Sequence, residues 1–125
     1  MKKYTSFLEI EKDLKFGKTS CKQLVEGYLS NINESKHLNI YLEVYEKEAL
    51  AKAEEIDVKI KNKLAGKLAG MVIGIKDVLC YADHSLQGGS KILDSFESQF
   101  NGTAIQRILD EDAIIIGRQN CDEFA

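Results

Sequence analysis

No run of apolar residues in this 125-residue sequence reaches the roughly 18 that a membrane helix requires. The opening Met1-Lys2-Lys3-Tyr4-Thr5 turns amphipathic without a continuous apolar stretch, so no signal peptide is read there. A cytoplasmic protein without a membrane partner is the expectation. No basic stripe exists: 17 basic and 20 acidic residues are mixed along the chain, net charge −3. Direct phosphate-backbone binding by these residues is therefore disfavoured. None of the cysteines, Cys21, Cys80 and Cys121, forms a C-x-x-C pair. An odd, scattered set fits reduced thiols better than a disulfide framework or a zinc site. Proline is absent, where average usage of about 5% would place roughly six; nothing in the sequence accounts for it. Internal repeats and low-complexity segments are also missing.

Forty-four per cent of the residues are hydrophobic and 30% charged, the composition of an ordinary globular chain rather than a disordered one. Ser6-x-x-Glu9 and Ser20-x-x-Gln23 are capping boxes, each followed by apolar residues at helical spacing. Phe7, Ile10 and Leu14 follow the first, which Gly17 stops; Cys21, Leu24, Val25, Tyr28, Leu29 and Ile32 follow the second. Asn39 to Tyr45 is rich in Ile, Leu, Val and Tyr and predicts an extended segment. From Glu46 to Lys63 a third helix places Leu50, Ala53, Ile56 and Ile60 on one side.

The character changes at Gly66. Met71-Val72-Ile73-Gly74-Ile75 and Ala113-Ile114-Ile115-Ile116 are short unbroken apolar runs, predicted to be strands buried on both faces as in parallel sheets. The second is read as ended by Gly117-Arg118, and the intervening helix as capped by Thr103-x-x-Gln106. Strand, irregular segment, helix, strand is the order of a parallel crossover. The fold class is therefore α/β: a helical region over residues 1–65, then the start of an α/β core over 66–125. Two strands buried on both faces need further neighbours, and the last residues hold no stop signal, so a truncated chain is expected.

Lys76 follows five apolar residues at the carboxyl end of a predicted strand, where open α/β sheets place their sites. In a poorly solvated site a lysine's charged form is disfavoured, and the neutral amine can act as a base. The other reading is a strand-end lysine paired with Asp77 or standing in water. Ser90, after Gly88-Gly89, is read as a turn or helix-cap residue. His37 and His84 have no ligand partner at metal spacing and are read as surface histidines. Gly66-Lys67 lacks the earlier glycine of a phosphate loop. Asp122 and Glu123 are given a structural role or one in contacts between subunits. The glycosylation tripeptides at Asn33 and Asn101 carry no meaning without a secretory signal.

The stretch from Gly66 to Asp77, Gly-Lys-Leu-Ala-Gly-Met-Val-Ile-Gly-Ile-Lys-Asp, resembles the lysine motif of the amidase signature family. Ser90-Lys91-Ile92-Leu93, Thr103 to Ile108 and Ala113 to Arg118 resemble the segments that follow in that family. Asn120-Cys121-Asp122-Glu123-Phe124-Ala125 is similar to the Asn-x-Asp-Glu-Phe-Ala of the A subunits of tRNA-dependent amidotransferases. Gly88-Gly89 departs from the Ala-Ser-like pair expected before the serine. The resemblance implies an amidase signature fold and a Ser–cis-Ser–Lys triad in which Lys76 takes the lysine's place. Both serines would lie beyond Asp-Glu-Phe-Ala, so these residues alone are expected to be inactive. It further implies glutamine as substrate and the amidotransferase B and C subunits as partners. Cofactors would not bind this chain: ATP and magnesium, with most tRNA contacts, would belong to the B subunit. A stand-alone amidase of small carboxamides and a non-catalytic binding module are the alternatives.

Overall fold

The computed structural model describes residues 2–125. Three amphipathic helices occupy the first half: α1 (Phe7–Lys15), α2 (Cys21–Glu34) and α3 (Glu46–Lys61). Ser6 caps α1 by accepting a hydrogen bond from the Glu9 N–H. The Glu9 carboxylate reaches back to Thr5 N–H at 3.0 Å instead of Ser6, so the first predicted box is closed one residue early. The second is complete, and a side chain from another helix joins it. The Asp57 carboxylate on α3 accepts from Cys21 N–H (2.7 Å) and Lys22 N–H (3.2 Å). Gln23 N–H is held by Ser20 Oγ, and Gln23 Oε1 accepts from Ser20 N–H at 3.2 Å in return. All four amides that a helix start leaves open are thereby satisfied.

The extended segment forms β1 (Tyr41–Val44), and the two apolar runs form β2 (Val72–Lys76) and β3 (Ile114–Gln119), preceded by α4 (Thr103–Asp110). Gly102, not Thr103, is the N-cap of α4, and no side chain caps it directly. The Asn101 carboxamide binds the start of the helix instead, donating to Gln106 Oε1 at 2.8 Å and accepting from Ala82 N–H.

The sheet order is β1-β3-β2, with β1 antiparallel and β2 parallel to β3. β3 is buried from Ile114 to Arg118, and alternation divides its side chains between two apolar clusters. Ile114 and Ile116 pack with Leu24, Val25, Ala53 and Ile56 from α2 and α3. Ile115 packs on the other face with Tyr45, Ile75 and Ile105. Leu24, Ile56 and Ile114 are fully buried, each contributing about 1.5–3 kcal/mol.

Two sequence expectations are corrected here. β2 is not buried on both faces: Val72, Ile73 and Gly74 are half-buried and only Ile75 is buried, because β2 has one neighbour and lies at the sheet edge. Nor does Gly117-Arg118 end β3, which continues to Gln119. Gly117 is the point where β1 comes closest: a Cβ there would lie 2.5 Å from the Glu43 carbonyl oxygen. β1, contributed by the first 65 residues, is the neighbour for β3 that the sequence reading did not count.

Candidate active site

The parallel pair β2–β3 ends with Lys76 opposite Gln119. Along this strand end Ile75 is 3% exposed, Lys76 is exposed and Asp77 is 0% exposed. Lys76 thus stands at the carboxyl edge of the sheet, as predicted. The poorly solvated setting imagined for it is not found in this chain, because β2 is an edge strand. Nor does it pair with Asp77, whose carboxylate turns inward to Arg118.

Asp77 organises the turn after β2. Its backbone N–H donates to the Gln119 carbonyl at 3.0 Å, and its carbonyl accepts from Gly88 N–H at 2.9 Å. Its Oδ1 accepts from Arg118 Nη1 and, at 3.1 Å, from Gln87 N–H; Oδ2 accepts from Gly89 N–H at 3.5 Å. The other guanidinium nitrogen, Nη2, lies 3.5 Å from the Glu43 carboxylate on β1. One arginine of the middle strand therefore ties β1 to the turn that follows β2.

The loop held this way brings Gly88 and Gly89 against the segment 121–124. Phe124 N–H donates to the Gly88 carbonyl at 2.7 Å. Gly89 adopts φ +67, and a Cβ there would lie 3.0 Å from the Cys121 carbonyl oxygen, so glycine suits both the backbone and the spacing. Ser90 starts a single 3₁₀ turn and accepts from Ile92 N–H, the cap role read from the sequence. The Asp122 and Glu123 side chains are exposed.

His37 is exposed. His84 is not a surface histidine: its side chain is 13% exposed and stacks on Tyr81 at 4.0 Å, edge-on to Tyr45. Its Nδ1 lies 2.7 Å from the Ala82 carbonyl and its Nε2 2.9 Å from the Glu48 carboxylate, pinning the loop to α3. The sequence pattern concealed this because His84 sits in a polar stretch. Burial pushes the phenols of Tyr45 and Tyr81 and the thiol of Cys21 above their ordinary values, so none is an acid–base group at neutral pH. Among the described residues no group of three or more His, Cys, Asp or Glu side chains could hold a metal ion. Among them, too, no helix is long and apolar enough to cross a membrane.

The group missed by sequence reasoning is Glu43–Arg118–Asp77. One signal was available: opposite charges, Asp77 and Arg118, each follow a short apolar run near the carboxyl end of a strand.

Comparison with known proteins places this geometry. The family model described as Amidase matches residues 23–125. The A subunit of glutamyl-tRNA(Gln) amidotransferase from Chlorobium phaeobacteroides (strain BS1) is 37% identical over 123 residues, covering 98% of this chain and 26% of the relative. Its counterpart of the same name from Chlorobaculum parvum is 43% identical over 107 residues, covering 85% of this chain and 22% of the relative. The chain thus spans about a quarter of the length of the curated relatives it matches. Among solved structures, a chain of a vestigial protein complex bearing on the origins of an s-triazine catabolic enzyme superposes with a TM-score of 0.89. It is 27% identical and covered over 27% of its length by 97% of this chain. The peptide amidase of Stenotrophomonas maltophilia gives 0.89 at 24% identity, with 97% of this chain covering 26% of it; it supports the fold alone. With its mixed three-stranded sheet, its lysine at the carboxyl edge and a family match over residues 23–125, this chain belongs to the amidase family.

Proposed function

We propose that these residues are the N-terminal part of the glutamine-hydrolysing subunit of a tRNA-dependent amidotransferase that converts Glu-tRNA(Gln) to Gln-tRNA(Gln). The observation that carries the reading is Lys76 at the carboxyl end of β2, exposed beside a loop closed by Gly88 and Gly89. Lys76 takes the proton of a middle serine, which activates a nucleophilic serine. That serine attacks the glutamine carboxamide, releases ammonia and is freed by water as glutamate forms. Backbone amides near the nucleophile stabilise the oxyanion. Both serines are supplied from outside these 125 residues, since Ser90 is committed to its turn. Ammonia then passes to the B subunit, which activates Glu-tRNA(Gln) with ATP and magnesium and contacts the tRNA, while the C subunit wraps the pair.

The similarity to amidotransferase A subunits over nearly the whole chain favours this reading over a stand-alone amidase. Co-purification of a tRNA-binding partner with the complete protein is expected; a monomer that hydrolyses simple carboxamides would reverse the preference. Lys76→Ala in the complete protein is expected to lower glutamine turnover by at least about a thousandfold while sparing the melting transition. Wild-type turnover in that variant would remove Lys76 from the mechanism. The 125-residue chain by itself is expected to release no ammonia from glutamine, checked against its own Lys76→Ala variant.

A further inference from the structure

We propose that Asp77 and Arg118, with Glu43 behind the arginine, are positioning residues that fix Lys76 for proton transfer, a role that rests on the assignment of Lys76 above. The first argument is alternation. Neighbouring side chains on a strand point to opposite faces, and a one-residue slip exchanges them. Asp77 is fully buried and tied to Arg118, Gln87 and Gly89. Asp77 follows the last residue of β2 and continues its ladder by donating its N–H to the Gln119 carbonyl. With its side chain turned inward, that of Lys76 is turned outward over the carboxyl edge.

The second argument is energetic. A buried ion pair rarely stabilises a fold more than an apolar pair of similar size, because both charges lose their hydration. This one is also incompletely satisfied. Arg118 Nε is buried without a hydrogen-bond partner among the described residues, as is the hydroxyl of neighbouring Tyr45, and such orphans detract from stability. Stability does not explain the arrangement, whereas placement does. The guanidinium reaches Asp77 after β2 and Glu43 on β1, setting the strand ends relative to one another. Through Gly89 the same carboxylate sets the distance to Cys121 and Asp122.

The test uses the complete gene product, with ammonia release from glutamine followed across pH beside the thermal melt. Arg118→Met leaves the buried Asp77 carboxylate without its ion partner, and Asp77→Asn leaves Arg118 only the half-exposed Glu43, so both melting temperature and kcat are expected to fall. The double variant Asp77→Leu/Arg118→Met removes both charges. Its melt is expected to recover much of the loss, short of the part owed to the Gln87 and Gly89 amides that lose their acceptor, while kcat stays down by about a hundredfold with KM little changed. Recovery of kcat together with the melt would make the pair merely structural and overturn the proposal. Should the double variant fail to fold, Glu43→Gln, at a half-exposed position, decides the matter. A several-fold loss of kcat and a displaced limb of the pH profile at an unchanged melt are expected; wild-type kcat and profile overturn the proposal. Lys76→Ala separates the two levels. If it abolishes turnover while the Asp77, Arg118 and Glu43 variants keep wild-type kcat, only the positioning fails. If Lys76→Ala itself turns over normally, the assignment of Lys76 fails and the positioning with it.

Discussion

A Cβ at Gly117 would meet the Glu43 carbonyl oxygen at 2.5 Å and Tyr41 Cδ1 at 2.9 Å, and neither backbone nor packed ring can yield cheaply. Gly117→Ala is therefore expected to push β1 away from β3 and destabilise by about 1–3 kcal/mol, read as a lower denaturation midpoint. At Gly89 the penalty has another origin, because φ +67 places an L side chain in the left-handed region at about 1–2 kcal/mol. The three thiols also separate at this scale. Cys21 is 0% exposed, and burial, with Asp57 nearby, pushes its thiol up, whereas Cys80 and Cys121 are partly exposed. A thiol reagent applied to the native protein is expected to modify Cys80 and Cys121 well before Cys21, followed by peptide mass mapping.

Between elements, the side chain that joins α2 to α3 is Asp57. It closes two amides at the start of α2 from a position 36 residues along the chain, and its negative charge faces the positive end of the helix dipole. Asp57→Ala is expected to destabilise by about 1–2 kcal/mol and to raise hydrogen exchange at Cys21 and Lys22 before the rest of α2. Asp57→Asn, which keeps an acceptor, should lose less.

The whole molecule is sewn together at Asp112, at the head of β3. Its carboxylate accepts from Lys59 Nζ of α3 at 2.7 Å and from Gly66 N–H at 2.8 Å. Burial tends to raise its pKa, but the bonds from Lys59 and Gly66 outweigh burial and hold it below the ordinary 3.8. The unfolded chain therefore binds this proton more readily than the native one. The contribution to stability is complete above pH 3.8 and is lost as pH falls through the lower native value. Asp112 has φ 64, a left-handed backbone that Asn also tolerates, so Asp112→Asn is expected to flatten that acid limb in denaturant titrations between neutral pH and about pH 3. A limb unchanged in the variant would assign the acid sensitivity to another carboxylate.

Helix starts, apolar stripes and the position of Lys76 at a strand end were legible in the sequence, because each rests on residues within a turn or two of one another. The Ser20–Gln23 box, Ser90 as a cap and the extended segment at Tyr41–Val44 are of this kind, since local backbone amides must find local acceptors. Tertiary structure alone decided that β1 flanks β3, that β2 is the exposed edge and that Gly117 lies inside a strand. It alone brought Arg118 to Asp77 across 41 positions and buried His84 against Tyr81. Propensity and periodicity report which face of an element is apolar. They carry no record of which distant element will cover that face, and a buried charge is matched only once the chain has folded.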